Sequence, residues 1–106
     1  MKLLHKRGVT ILAGTDANPG SYAPAVAYGT SVHREMELLA KAGLTPVEVL
    51  ASATGKIAEV FGITDIGIIK TGKRAVLMLV KGRPDKEITD TINIKQVWID
   101  GKPFLG

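Results

Sequence analysis

The apolar residues of this chain change their spacing once, near Gly62, and that change limits the fold more than any other feature. Before Gly62 they recur three and four residues apart, as on an amphipathic helix. After it they form short runs that suit strands. Within the first part the cleanest local signal is Thr45-Pro46-Val47-Glu48. A threonine able to cap, a proline at the first helical position, where its missing N–H is no loss, and a glutamate at the third make a capping box. The helix it opens carries Val47, Val49, Leu50 and Ala53. An earlier helix opens at Thr30 or Ser31, with Val32, Met36, Leu39 and Ala40 at helical spacing, Glu37 set to pair with Lys41, and Gly43 as its stop. A later one, capped by Thr54, holds Ile57, Ala58, Val60 and Phe61 and ends at Gly62.

Leu3 and Leu4, followed by His5, Lys6 and Arg7, read as the end of a helix closed by Gly8, its basic residues on a solvated face. Val9 to Ala13 is a nearly continuous, β-branched apolar run, the pattern of a strand covered on both faces as in a parallel sheet. It stops at Gly14-Thr15-Asp16. The stretch from Ala17 to Gly29, with Pro19, Pro24, Gly20 and Asn18, reads as a loop long enough to suggest a function. Beyond Gly62 the sequence predicts strands at Ile66–Ile69 and Ala75–Val80 around a turn at Lys70–Lys73, and then a polar loop from Gly82 to Asp90. A strand at Ile94–Ile99 follows, with a tight hairpin at Asp100-Gly101 into residues 102–105. The expected class is α/β, in two parts: residues 1–62 (helix, strand, loop, three helices) and residues 63–106 (a small β unit).

Composition removes several function classes. The chain has 106 residues, 45% of them hydrophobic, which suits one globular domain or a piece of a larger one and argues against disorder. Its net charge of +4 is scattered, and two Phe, two Tyr and one Trp provide no aromatic and basic interleaving, so no nucleic-acid partner is expected. The absence of cysteine excludes a disulfide framework and a thiolate metal site. No apolar run is long enough to span a bilayer, and basic residues arrive too early for a secretory signal, so the expectation is a cytoplasmic protein with no membrane partner.

Several stretches carry a family pattern when read in order. They are Gly8-Val9 leading into Ala13-Gly14-Thr15-Asp16-Ala17, His33-Arg34-Glu35-Met36-Glu37-Leu38-Leu39, and Ala42-Gly43-Leu44-Thr45-Pro46. Val49-Leu50-Ala51-Ser52-Ala53-Thr54, Ala58 to Gly62, Gly67 to Lys73 and Val97-Trp98-Ile99-Asp100-Gly101-Lys102 follow. No one of these stretches is specific, but their order and spacing are. Together they resemble the C-terminal segment of a metal-dependent amidohydrolase of the imidazolonepropionase and prolidase-like branch. The resemblance implies the last β/α unit of a TIM-like barrel with trailing helices, then a small β-sheet belonging to a composite β-sandwich. It implies hydrolysis of carbon–nitrogen bonds in a small cyclic amide or dipeptide-like substrate, with a divalent metal, zinc foremost, as cofactor.

In such enzymes the aspartate closing the eighth barrel strand binds the metal and relays a proton, which makes Asp16 the candidate catalytic residue and metal ligand. Catalytic groups of these barrels stand at the C-terminal ends of strands, and a carboxylate there can hold a metal whose bound water ionises near neutrality. Read without the resemblance, Asp16 is an ordinary loop-initiating residue. His33 and Tyr22 are candidate substrate-binding residues; taken alone, His33 also reads as a helix-start residue bonding nearby backbone, and Tyr22 as packing that holds its loop. The pattern departs from the family in two ways. The remaining ligands, a His-x-His pair and His or Lys residues on earlier strands, have no counterpart here, and Val76 stands where the family has Asp.

One carboxylate and one imidazole fall short of the three protein ligands of a catalytic zinc, so the chain alone is expected to be inactive, and a chain without any bound metal is the alternative to the family's divalent ion. Its unaccompanied strand and helix faces lead to an expectation of self-association into a homo-oligomer, or of pairing with a complementing N-terminal fragment. Two other readings compete with the hydrolase. One is a non-catalytic, self-associating scaffold derived from the same fold. The other is an anion-binding module using the positive charge, which steeply salt-dependent retention on heparin would reveal.

Overall fold

Thr45 and Glu48 form the reciprocal bonds that their spacing predicts. The Thr45 hydroxyl accepts from the Glu48 N–H at 3.2 Å, and Glu48 Oε1 accepts from the Thr45 N–H at 2.8 Å. These contacts open α3 in a computed structural model that describes residues 1–15 and 30–104. Among those residues the helices are α1 (Lys2–Lys6), α2 (Thr30–Lys41), α3 (Pro46–Ala53) and α4 (Gly55–Val60). They precede a three-stranded antiparallel sheet of β1 (Leu77–Val80), β2 (Ile94–Ile99) and β3 (Lys102–Pro103), in that spatial order. A 3₁₀ helix, Ile88–Ile92, lies on the connection from β1 to β2.

The core forms where α2 crosses α3 and the 3₁₀ helix. Met36 and Leu39 from α2, Leu44 from the turn, Val49 from α3 and Ile88 from the 3₁₀ helix are buried together. Ile11, Ala13, Ala40, Leu50 and Ala53 pack around them. Residues 1–62 and 63–106 therefore share one apolar cluster. Met36, Leu39 and Ala40 take the predicted inward positions on α2, whereas Val32 at the helix start is 37% exposed. The Glu37–Lys41 pair forms at 3.1 Å, and Arg34 joins it from the preceding turn at the same distance.

The β unit is held at its tip. Leu77 pairs with Trp98, Met78 with Val97 and Leu79 with Gln96, and the register shifts at Leu79/Val80, so the ladder is interrupted after three regular pairs. Asp100 and Gly101 both adopt positive φ, +52° and +78°, which is what a two-residue hairpin between β2 and β3 requires. Arg74 clamps that turn with a two-pronged contact, Nε to Asp100 Oδ1 at 2.8 Å and Nη2 to Asp100 Oδ2 at 3.3 Å. Val76, where the family pattern has aspartate, is 44% exposed beside this clamp in sequence.

Five local expectations are corrected. Val9–Ala13 forms no ladder with any described residue: among those residues its N–H groups find only Leu4 O (from Val9) and Ser52 O (from Ala13), and no described strand lies beside it. Ile66–Ile69 is not a strand, since Gly67 turns to φ +103° where the backbone presses against Ala58 and Gly55. The strand expected over Ala75–Val80 begins only at Leu77. The polar loop expected up to Asp90 runs into the 3₁₀ helix, which buries Ile88 and Thr91. Thr54 does not cap α4; its hydroxyl instead donates to the Leu50 carbonyl one turn back, at 2.7 Å.

Candidate functional site

The segment that should carry the chemistry is the extended run from Val9, which reaches Thr15 within the described residues. Ile11 and Ala13 lie against the core, and the Ala13 N–H donates to the Ser52 carbonyl at 3.0 Å, so the run lies alongside α3. Asp16 and Tyr22, the candidate metal ligand and substrate contact, lie outside the described residues, as does the 17–29 loop.

His33 is described. It sits half-buried in the first turn of α2, with Nδ1 2.9 Å from the Thr91 hydroxyl on the 3₁₀ helix, 58 residues away. The partner is a side chain from the β unit, not the nearby backbone that a helix-start histidine usually finds. Thr91 is itself 2% exposed. Sequence reasoning overlooked Thr91 because the residues around it read as polar loop. The available signal was the apolar pair Ile88 and Ile92 flanking it at helical spacing.

The second histidine is also engaged. His5 Nδ1 lies 3.0 Å from Glu48 Oε2, whose other oxygen completes the α3 cap. The expectation of a freely solvated His5 is corrected accordingly: α1 is anchored to the start of α3 through it. Glu48 is held below the ordinary glutamate pKa of 4.5, first by the backbone N–H of Thr45, then by its hydroxyl, and further by His5. This pair lines an open cleft of about 320 Å³ together with Val9, Thr10, Ile11, Ser52 and Lys56. The cleft is built on the start of the extended run, before the end that leads to Asp16.

Among the described residues, no three His, Asp or Glu side chains gather as a metal site. His5 is turned to Glu48 and His33 to Thr91, so these residues do not by themselves fit a three-ligand divalent centre. Nor, among them, is any helix long and apolar enough to cross a membrane.

Comparison with known proteins fits this arrangement. Imidazolonepropionase from Deinococcus radiodurans is 29% identical over 97 residues, covering 89% of this chain and 23% of that protein. Imidazolonepropionase from Cereibacter sphaeroides is 35% identical over 86 residues, covering 81% and 21%. The crystal structure of a Xaa-Pro dipeptidase with bound methionine in the active site superposes with a TM-score of 0.83 at 31% identity, over 99% of this chain and 24% of that one. The chain thus spans less than a quarter of the length of each of these three proteins. The sequence pattern of the amidohydrolase family, whose members generally use a divalent metal, matches residues 1–104. On that match the chain belongs to the amidohydrolase family.

Proposed function

We propose that these residues contribute the last β/α unit of an amidohydrolase barrel, residues 1–62, and part of its β-sandwich, residues 63–106. On this reading the chain takes part in hydrolysing carbon–nitrogen bonds only together with further polypeptide. One observation carries the reading. Ile11 and Leu12, both half-buried, have neither N–H nor C=O in a backbone hydrogen bond with any described residue, although Ile11 and Ala13 pack on the core. Extended backbone in that state requires a strand alongside it, because half-buried amide groups left unpaired are costly. The added polypeptide supplies that strand and the metal donors lacking here. Asp16 then closes the strand as metal ligand and catalytic carboxylate, with zinc as the metal, and His33 and Tyr22 stand on the substrate side. The names of the relatives favour a small cyclic amide or a dipeptide-like substrate.

The test is reconstitution. The chain is co-expressed with the part of the Cereibacter sphaeroides imidazolonepropionase that lies outside the matched stretch, and bound metal and amide hydrolysis are measured. Stoichiometric zinc and turnover that appear only in the complex, both lost on Asp16→Ala, support the reading. Turnover by a strictly single-copy preparation of the 106-residue chain removes it.

A second reading has its own support in the uncovered apolar surface, where Ile69 is 88% and Phe61 69% exposed. It makes the protein a self-associating scaffold without catalysis. Metal-free, inactive protein that scatters light as several copies would establish it, and a compact monomer at micromolar concentration would exclude it.

A further inference from the structure

We propose that Thr91 is a positioning residue that fixes His33 as a hydrogen-bond donor through Nε2. The inference deepens the hydrolase reading above and rests on it for the statement that His33 faces substrate. Its geometric part stands independently.

The argument begins with one buried hydrogen. Thr91 is 2% exposed, so its hydroxyl hydrogen cannot turn to water, and among the described residues its hydrogen-bond partner is His33 Nδ1 at 2.9 Å. A threonine hydroxyl carries one donor and two acceptor sites, whereas a neutral imidazole carries one donor nitrogen and one acceptor nitrogen. If Nδ1 held the ring proton it would donate to the Thr91 oxygen, and the hydroxyl hydrogen would remain buried without an acceptor. Native interiors rarely tolerate that arrangement. If the hydroxyl donates to Nδ1 instead, both groups are satisfied and the ring proton resides on Nε2. Among the described residues Nε2 has no hydrogen-bond partner.

The support for this bond is rigid. Thr91 sits on the 3₁₀ helix beside Ile88, which is buried against Met36 and Leu39 of the same α2 helix that carries His33. Donor and acceptor are therefore held by one packed cluster although 58 residues separate them. A histidine fixed in this form presents an N–H, not a lone pair. It suits a carbonyl or carboxylate oxygen on the ligand and cannot act as a base through Nε2. On this account the β unit takes part in the candidate site by setting which nitrogen of His33 carries the proton.

Nitrogen-15 NMR of the imidazole in the full 106-residue chain, in mildly alkaline buffer, tests the proposal. The expected spectrum shows His33 with Nε2 protonated, Nδ1 unprotonated, and a slowly exchanging Thr91 hydroxyl proton coupled to the ring. Thr91→Ser should keep this pattern. Thr91→Val should lose the hydroxyl signal, displace the Nδ1 resonance and admit the other tautomer. A protonated Nδ1 in the parent chain, or an Nδ1 resonance indifferent to Thr91→Val, overturns the proposal. The measurement needs no activity, so an inactive reconstituted complex with the expected tautomer would sink the hydrolase reading and leave the positioning of His33 standing.

Discussion

Ile88→Ala tests the central packing claim, that the helices and the β unit share a single core. Ile88 is 5% exposed and touches a cluster drawn from α2, α3 and the turn between them. The substitution removes three methyl or methylene groups, about 2.4 kcal/mol at roughly 0.8 kcal/mol each. Incomplete collapse of the vacated space raises the expected cost to about 3–4 kcal/mol, within the range for isoleucine truncations. Against a total of about 5–15 kcal/mol for a domain of this size, that is a large share.

Urea unfolding at fixed protein concentration reads the effect through two probes. Far-UV circular dichroism reports mainly on the helices, and fluorescence of the single tryptophan, Trp98, reports on β2. With a denaturant dependence of about 1.5 kcal/mol per molar, the midpoint should fall by about 2 M. Both probes should move together, because one cluster holds both parts. A fluorescence transition that stays in place while the helical signal moves, or a shared shift below about 0.5 M on the same scale, would refute the shared core.

Thr45→Ala should cost about 1 kcal/mol, a fall of several degrees in melting temperature, while Thr45→Ser should be nearly neutral because it keeps the capping oxygen. Glu37 and Glu48 are both held below the ordinary value of 4.5, Glu37 chiefly by Lys41 and Glu48 chiefly by the Thr45 N–H. A depressed carboxyl contributes stability that is fully present above its unfolded pKa and lost as pH falls through the lower folded value. Stability should therefore hold above about pH 4.5 and decline below it, and Glu48→Gln, which preserves the capping box, should flatten part of that decline in acid-titrated melts. Gly67→Ala should cost about 2–4 kcal/mol, since its φ is +103° and an added Cβ would stand 2.6 Å from that of Ala58. A melting temperature unchanged in Gly67→Ala would contradict the close approach of that segment to α4.

The elements legible in advance are those whose hydrogen bonds close within a few residues. Thr45, Pro46 and Glu48 are neighbours in sequence, so their cap could be read directly, and the same holds for the Glu37–Lys41 pair and the Asp100-Gly101 turn. The family pattern was legible for a related reason: it is written in order and spacing along the chain, and the match over residues 1–104 follows it. The candidate site was only partly legible. His33 could be singled out from its place after the long loop, but its partner could not, because Thr91 approaches it across 58 residues.

Sequence alone determined α2, the start of α3 and the hairpin tip, since a helical i to i−4 bond or a two-residue turn is satisfied by residues already adjacent. Tertiary structure decided the rest. Val9–Ala13 has every local property of a strand, yet a strand exists only as a ladder, and no described residue supplies the second rail. Ile88 and Ile92 stand at helical spacing in an otherwise polar run, yet Ile92 is 59% exposed while Ile88 and Thr91 are buried, because α2 brings Met36, Leu39 and His33 against them. Burial depends on residues far apart in the chain, and local spacing alone does not decide which of two such residues is covered.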